Sequence, residues 1–248
     1  NLDLRGGCLN YGDFSEAYLR RARLQRVSCR GTNFAGATLV LADLSASELQ
    51  SAHLTGATLT QANLAGANLQ RAIALKACLY GANLEAINGC YASFDNADLR
   101  QVAGMRSRLM GASLANAQFA GANFSQASFE MAQLQRSAGQ QSVLIGVSFA
   151  AAEMTQANLQ GALLTGANLS EADLLSGVLA AADLTGAVLR SAQLDWADLY
   201  NAILMGTDLS HASLFGASLA SANLSQANLT GADLRDANLE SAQLNGVC

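Results

Sequence analysis

The chain carries a large apolar residue at every fifth position, and the phase never slips. Stepping by five from Leu4 to Leu244 visits 49 positions, of which 43 are Leu or Phe. The exceptions are Cys29, Ala74, Gly89, Gly104, Gly139 and Met154. Two residues before each central residue stands a small one, mostly Ala, as at Ala52, Ala57, Ala62 and Ala67. Between the two lies a polar residue, often Asn or Asp, so the unit reads A-(D/N)-L-x-x. A period of five fits neither regular element. On an α-helix each step of five advances about 140° past a full turn, so the leucines would wind round the axis and make no stripe. On a flat strand, steps of five alternate faces. A constant inward direction therefore requires the chain to turn a corner every five residues. Ala and Leu, two apart, then point to the same side, as strand neighbours do. The remaining polar residues face water or shape the turn.

Composition narrows the choice further. There is no proline in 248 residues, which suits a fold that needs nearly every backbone N–H for pairing. No apolar run approaches the ~20 residues of a membrane-spanning helix. The sequence starts at Asn1 rather than Met, compatible with a removed leader or a preceding domain. Five cysteines, Cys8, Cys29, Cys78, Cys90 and Cys248, show no CxxC spacing and no Cys/His cluster. They read as free thiols of a reducing, cytoplasmic compartment, with no metal or cofactor expected.

Stretches such as ATLTQANLAGANLQRA and ASLASANLSQANLTGADLRDANLESAQL carry a resemblance to the pentapeptide-repeat family, and it extends over essentially the whole chain. The resemblance implies an all-β fold, a right-handed quadrilateral β-helix with four pentapeptides per square coil. About twelve coils would then form a single solenoid over residues 1–248, a rod roughly 60 Å long at the ~4.8 Å strand spacing. Core columns form at spacing twenty, for example Leu159, Leu179, Leu199, Leu219 and Leu239, with Phe119, Phe124 and Phe129 thickening one coil. Glycine cannot fill a core, so Gly89, Gly104 and Gly139 predict irregular coils around 85–108 and 136–147, either hollow or bulged.

Charge is polarised along the chain. Residues 1–31 hold six arginines against three acids, net +3; residues 32–150 balance six against six; residues 151–248 hold ten acids against two arginines, net −8. Arg20, Arg21, Arg23, Arg26 and Arg30 all fall at outward positions, as a solvated end or as a site for an anionic partner or adjoining domain. Without interleaved aromatics they do not argue for direct nucleic-acid binding. Some members of the family resemble duplex DNA and inhibit DNA gyrase. Glu153 and Asp173, with Asp195, Asp233 and Asp236 on the same face, invite that comparison. Against it, nine of the twelve Asp residues occupy the motif position before the central residue, where the repeat places Asp or Asn anyway.

A rival site is apolar. Val143, Ile145, Leu163, Ile203 and Met205 are outward positions on one face, interrupted by Asp183, and a contiguous exposed apolar patch marks protein interfaces. Trp196, flanked by Asp195 and Asp198, and Phe215 are also outward and are candidate anchors. His53 and His211 fall on different faces with no triad-like partners, so no catalytic residue is assigned. The chain reads as a non-enzymatic protein–protein interaction scaffold or rigid spacer. Its partner is another protein, an adjoining domain, or a second copy docked end-to-end or side-by-side. The alternative is a DNA mimic that binds and inhibits or protects DNA gyrase.

Overall fold

A computed structural model describes residues 2–248. The pentapeptide centred on Leu64 shows how the unit is held. Asn63 N–H donates to Ala42 O of the coil below (2.9 Å), while Leu64 and Gly66 N–H donate to Asn83 O and Glu85 O of the coil above (both 2.8 Å). Ala67 N–H closes the corner on Leu64 O at 2.8 Å. One donor is left, the N–H of the residue after the central Leu, and the Asn63 side chain accepts it, Ala65 N–H to Oδ1 at 3.2 Å. Ser45 and Thr185 N–H likewise donate to Asp43 and Asp183 at 3.0 and 2.9 Å. The Asn or Asp of the motif is therefore more than a solvated surface residue. It satisfies the one backbone donor that the ladder does not reach. Proline would remove a ladder or corner bond at four of the five positions, which accounts for its absence.

Parallel bridges join residues twenty apart without interruption from Asp3↔Arg23 to Asn223↔Gln243. The chain is a right-handed quadrilateral β-helix. Its four faces are numbered here by their bridging residues: face 1 runs 3, 23, 43 to 243; face 2 runs 8, 28 to 228; face 3 runs 13, 33 to 233; face 4 runs 18, 38 to 238. Two turn residues make each corner, and the second has φ between 53° and 70° at every one of 33 non-glycine and 16 glycine positions. None of these is Val, Ile or Thr, since a β-branched side chain is the worst fit to the left-handed region.

The small and central residues fill the tube. Leu159, Leu179, Leu199 and Leu219 are fully buried. Leu239, in the last coil of the chain, is half-buried against the same core. At Ser107 and Thr207, where Ser or Thr replaces the small Ala, the hydroxyl finds a carbonyl inside the wall: Ser107 Oγ donates to Leu84 O (2.7 Å) and Thr207 Oγ1 to Leu184 O (3.0 Å), whereas the Ser47 and Ser137 hydroxyls are buried without a partner.

The irregularity expected around 85–108 and 136–147 takes neither proposed form. Gly89, Gly104 and Gly139 keep their ladder bonds to Arg108, Asn123 and Asn158, each at 2.7 Å, so nothing bulges. Nor is the tube hollow, because a side chain from the adjacent coil enters the vacated space. A Cβ on Gly104 would stand 2.2 Å from Phe124 Cε1, one on Gly139 2.0 Å from Phe119 Cε2, and one on Gly89 2.8 Å from Leu109 Cδ2. Each filler is the same-column residue twenty positions away. Phe119 and Phe124 thus replace volume that glycine omits, while Phe129 has no glycine in the adjacent coils of its column and adds bulk against Phe149. They also touch one another, Phe119–Phe124 and Phe124–Phe129 edge-to-face at 6.3 and 5.2 Å, and Phe129–Phe149 stacked at 5.1 Å.

Candidate interaction surface

With the interior packed by side chains, chemistry is confined to four faces and four corners. Arg20, Arg21, Arg23, Arg26 and Arg30 are all exposed. Arg20 and Arg21 form the corner leading into face 1, Arg23 lies on that face, and Arg26 is at its far corner; Arg30 belongs to the next corner. Arg23 pairs with Asp3 at 3.4 Å and Arg30 with Glu48 at 3.0 Å. A shallow recess beside them is lined by Asp3, Arg5, Gln25 and Arg26. The Arg5 side chain holds the Asp3 carboxyl down to about 2.

The apolar residues fall on the same face. Val143, Leu163, Asp183 and Ile203 are consecutive rungs of face 1, bounded by Asn123 before and Asn223 after. Ile145 and Met205 stand at the adjoining corner. Leu163, Ile203, Ile145 and Met205 are 41–44 % exposed, while Val143 is only half-exposed. The second corner residues here, Gly146, Gly166, Gly186 and Gly206, are all exposed glycines with positive φ. No side chain therefore rises from the second position of that corner, and Ile145 and Met205 at its first position stand uncovered by it. Across six coils, residues 120–126, 140–146, 160–166, 180–186, 200–206 and 220–226, this face and its two corners hold a single charged residue, Asp183. Charges on the same face and its corners are spread from Asp3 to Arg106, with none in residues 60–66. The fold thus brings the arginines and the apolar row onto one side, separated by six coil steps from Arg23 to Val143, roughly 29 Å.

Trp196 and Phe215 are not part of this surface. They lie on the corner between faces 3 and 4, diagonally across the tube. Trp196 is 58 % exposed and lies over Gly216, where a Cβ would meet its ring at 2.5 Å. Phe215, expected to be freely exposed, is half-buried: Trp196 packs against it edge-to-face at 5.3 Å, and the Arg235 guanidinium sits 5.9 Å above its ring. Asp195 and Asp198 are engaged in the wall. Asp195 accepts the Phe215 N–H (3.1 Å) and the Ser213 hydroxyl, and Asp198 accepts the Tyr200 N–H at 3.0 Å. Sequence reasoning missed these anchoring roles. The signal was the motif position itself for Asp198, and Ser213 standing where Asn or Asp is usual for Asp195.

The acids of face 3 do not form a continuous ladder. Between Asp13 and Glu153 its rungs are Asn33, His53, Ile73, Ser93, Ser113 and Gln133. His53 lies on that face and His211 on the corner between faces 2 and 3, about eight coils away, roughly 38 Å. Among the described residues, no cluster of His, Cys, Asp and Glu is arranged to hold a metal ion, and no helix is long and apolar enough to cross a membrane. The five cysteines are unpaired, and burial pushes the Cys29 thiol up to about 12.

Comparison with known proteins agrees with the repeat geometry. The model of the family described as pentapeptide repeats matches in eight copies over residues 12–50, 47–85, 105–137, 142–174, 178–214 and 212–248. HetL, a pentapeptide repeat protein involved in heterocyst differentiation regulation in the cyanobacterium Nostoc sp. strain PCC 7120, is 31% identical over 97% of this chain and 88% of its own, with a TM-score of 0.38. Rfr23 of the cyanobacterium Cyanothece 51142 is 41% identical over 38% of this chain and 58% of its own, at a TM-score of 0.25. QnrB1, a plasmid-mediated fluoroquinolone resistance protein, is 19% identical over 75% and 88%, at a TM-score of 0.47. No curated protein matches the chain. These overlays are loose and the assignment rests on the repeat itself: matched over most of its length, this chain belongs to the pentapeptide-repeat family.

Proposed function

We propose that the chain is a non-enzymatic protein–protein interaction scaffold whose partner docks on face 1. The observation that carries this reading is the segregation on that face. On it six successive coils hold one charge between them, and four large apolar side chains stand 41–44 % exposed beside a row of exposed glycines at the second corner position. Water gains by leaving such a surface, at ~25 cal/mol per Å² of apolar area, and an exposed contiguous patch of this kind is typical of binding surfaces. The backbone ladder supplies rigidity, so little ordering cost attaches to the rod's side of the contact. A reducing, cytoplasmic setting suits the five free thiols. The DNA-mimic alternative finds less support, because the acids of face 3 are interrupted over six rungs and Asp195 and Asp198 are committed to backbone donors.

The test is affinity capture with the wild-type protein and with a Leu163→Ser/Ile203→Ser variant, whose outward side chains leave the core untouched. A partner retained by the wild type and lost by a variant of unchanged thermal midpoint is the expected result. Equal capture by both refutes docking on face 1. Inhibition of gyrase supercoiling at low protein concentration, insensitive to these substitutions, would replace the reading with the mimic.

A further inference from the structure

We infer that the segment docking on face 1 is a short, basic amphipathic helix that places one Lys or Arg against Asp183; this rests on the face-1 reading above. Three observations select that occupant. First, the patch is narrow. Val143 to Ile203 spans three coil steps, roughly 14 Å, and one face is one pentapeptide wide, so the apolar area is on the order of 200 Å². Stable protein–protein interfaces bury ~800 Å² per partner. The patch therefore fits a segment better than a second rigid rod.

Second, the spacing suits a helix lying along the rod. Rungs recur every ~4.8 Å, and one side of a helix recurs every ~5.4 Å. Over three steps the mismatch is only about 2 Å, so successive turns meet Val143, Leu163, Asp183 and Ile203 in order.

Third, the third rung is a carboxylate. Asp183 Oδ1 accepts the backbone N–H and hydroxyl of Thr185 at 2.9 and 2.6 Å, and Oδ2 has only a 3.4 Å contact from Thr165. Among the described residues no arginine or lysine pairs with it. An aliphatic partner covering that rung would strip water from an unpaired charge, a cost that a cation removes. The surrounding section, residues 151–248, carries net −8, which steers a basic segment toward it. The nearest arginines of face 1, Arg100 and Arg106 at its corners, are four coil steps from Asp183, roughly 19 Å or about two Debye lengths at physiological salt.

The probe is a set of three fluorescein-labelled Leu/Lys amphipathic helical peptides. They are identical except at one position inside the leucine stripe, which is Lys, Leu or Glu. Binding is read by anisotropy at fixed ionic strength. The wild-type protein should prefer Lys over Glu at that position by about tenfold, in the range of an interfacial charge pair. Asp183→Asn, which keeps the acceptor for Thr185 N–H, should lose most of that preference. Asp183→Leu should favour the Leu peptide instead. Leu163→Ser/Ile203→Ser should weaken all three. An unchanged order of preference across wild type, Asp183→Asn and Asp183→Leu overturns the assignment of a basic segment. If capture of a native partner still depends on Leu163 and Ile203 in that case, docking on face 1 stands and only the partner class falls; if neither result appears, both fall.

Discussion

The pairing of glycine with phenylalanine in one core column can be tested by a double-mutant cycle at Phe119 and Gly139. In the native tube the Phe119 ring occupies the space that a side chain at position 139 would fill, and a Cβ there would stand 2.0, 2.4 and 2.7 Å from its Cε2, Cζ and Cδ2. Ordinary contact begins at about 3.4 Å, so even Gly139→Ala forces the ring to move by more than an ångström against Phe124, whose centroid is 6.3 Å away. Overpacking of this kind costs ~1–3 kcal/mol, and Gly139→Leu should exceed it. Phe119→Leu removes ring volume while leaving Gly139 bare, at ~1–2 kcal/mol for lost contacts and cavity. The double variant Phe119→Leu/Gly139→Leu rebuilds the Leu-on-Leu column found through most of the rod. It should lie within ~1 kcal/mol of wild type, giving a coupling energy of ~2 kcal/mol or more. Urea unfolding followed by far-ultraviolet circular dichroism measures all four proteins, and each ~1 kcal/mol should also move the thermal midpoint by 2–4 °C. Additivity of the two single variants to within ~0.5 kcal/mol would refute the shared-volume argument.

Two further predictions concern the wall. Asp208 is held down to about 2, chiefly by its hydrogen bond with Ser210 and then by Arg190. Its folded pKa lies below the unfolded value of ~3.9, so its contribution is complete above about pH 4 and is lost as pH falls toward 2. Asp208→Asn keeps an acceptor for the Ser210 N–H but removes the titration. The wild type's advantage in thermal midpoint over Asp208→Asn should therefore shrink across that acid window, and parallel midpoint curves would contradict the assignment. Proline scanning tests the donor count. Ala122 N–H closes a corner on Phe119 O at 3.0 Å, so Ala122→Pro should cost ~3 kcal/mol or more. Ala120 sits at the corner position outside the ladder, so Ala120→Pro should cost far less; equal losses by thermal melting would refute the position-specific scheme.

The period of five was enough to require a corner after every fifth residue, because it is a covalent regularity; four corners to a coil and the right hand came with the family resemblance. Once the coil is twenty residues, every ladder bond joins residues a fixed distance apart in sequence. The buried leucines, the absence of proline and the outward placement of Arg20 to Arg30 all follow from arithmetic on residue numbers. What arithmetic could not supply was the meaning of departures from the pattern. Gly104 and Gly139 looked like defects because volume was counted pentapeptide by pentapeptide. The tube balances volume between stacked coils, and Phe124 and Phe119, each twenty residues away, carried that signal in the sequence. Asp195 and Asp198 looked like free surface charge because a backbone donor needing an acceptor is invisible until the corner is built. Whether Phe215 is open to solvent depended on Trp196, nineteen residues earlier and one coil below. The stacking of coils at twenty residues per turn kept the apolar row on one side, as its spacing predicts, and showed what else lies there. It joined the apolar row of Val143 to Met205 to the arginine end on face 1, and put Trp196 and Phe215 across the tube, because facing is set by position modulo twenty while chemistry is set residue by residue.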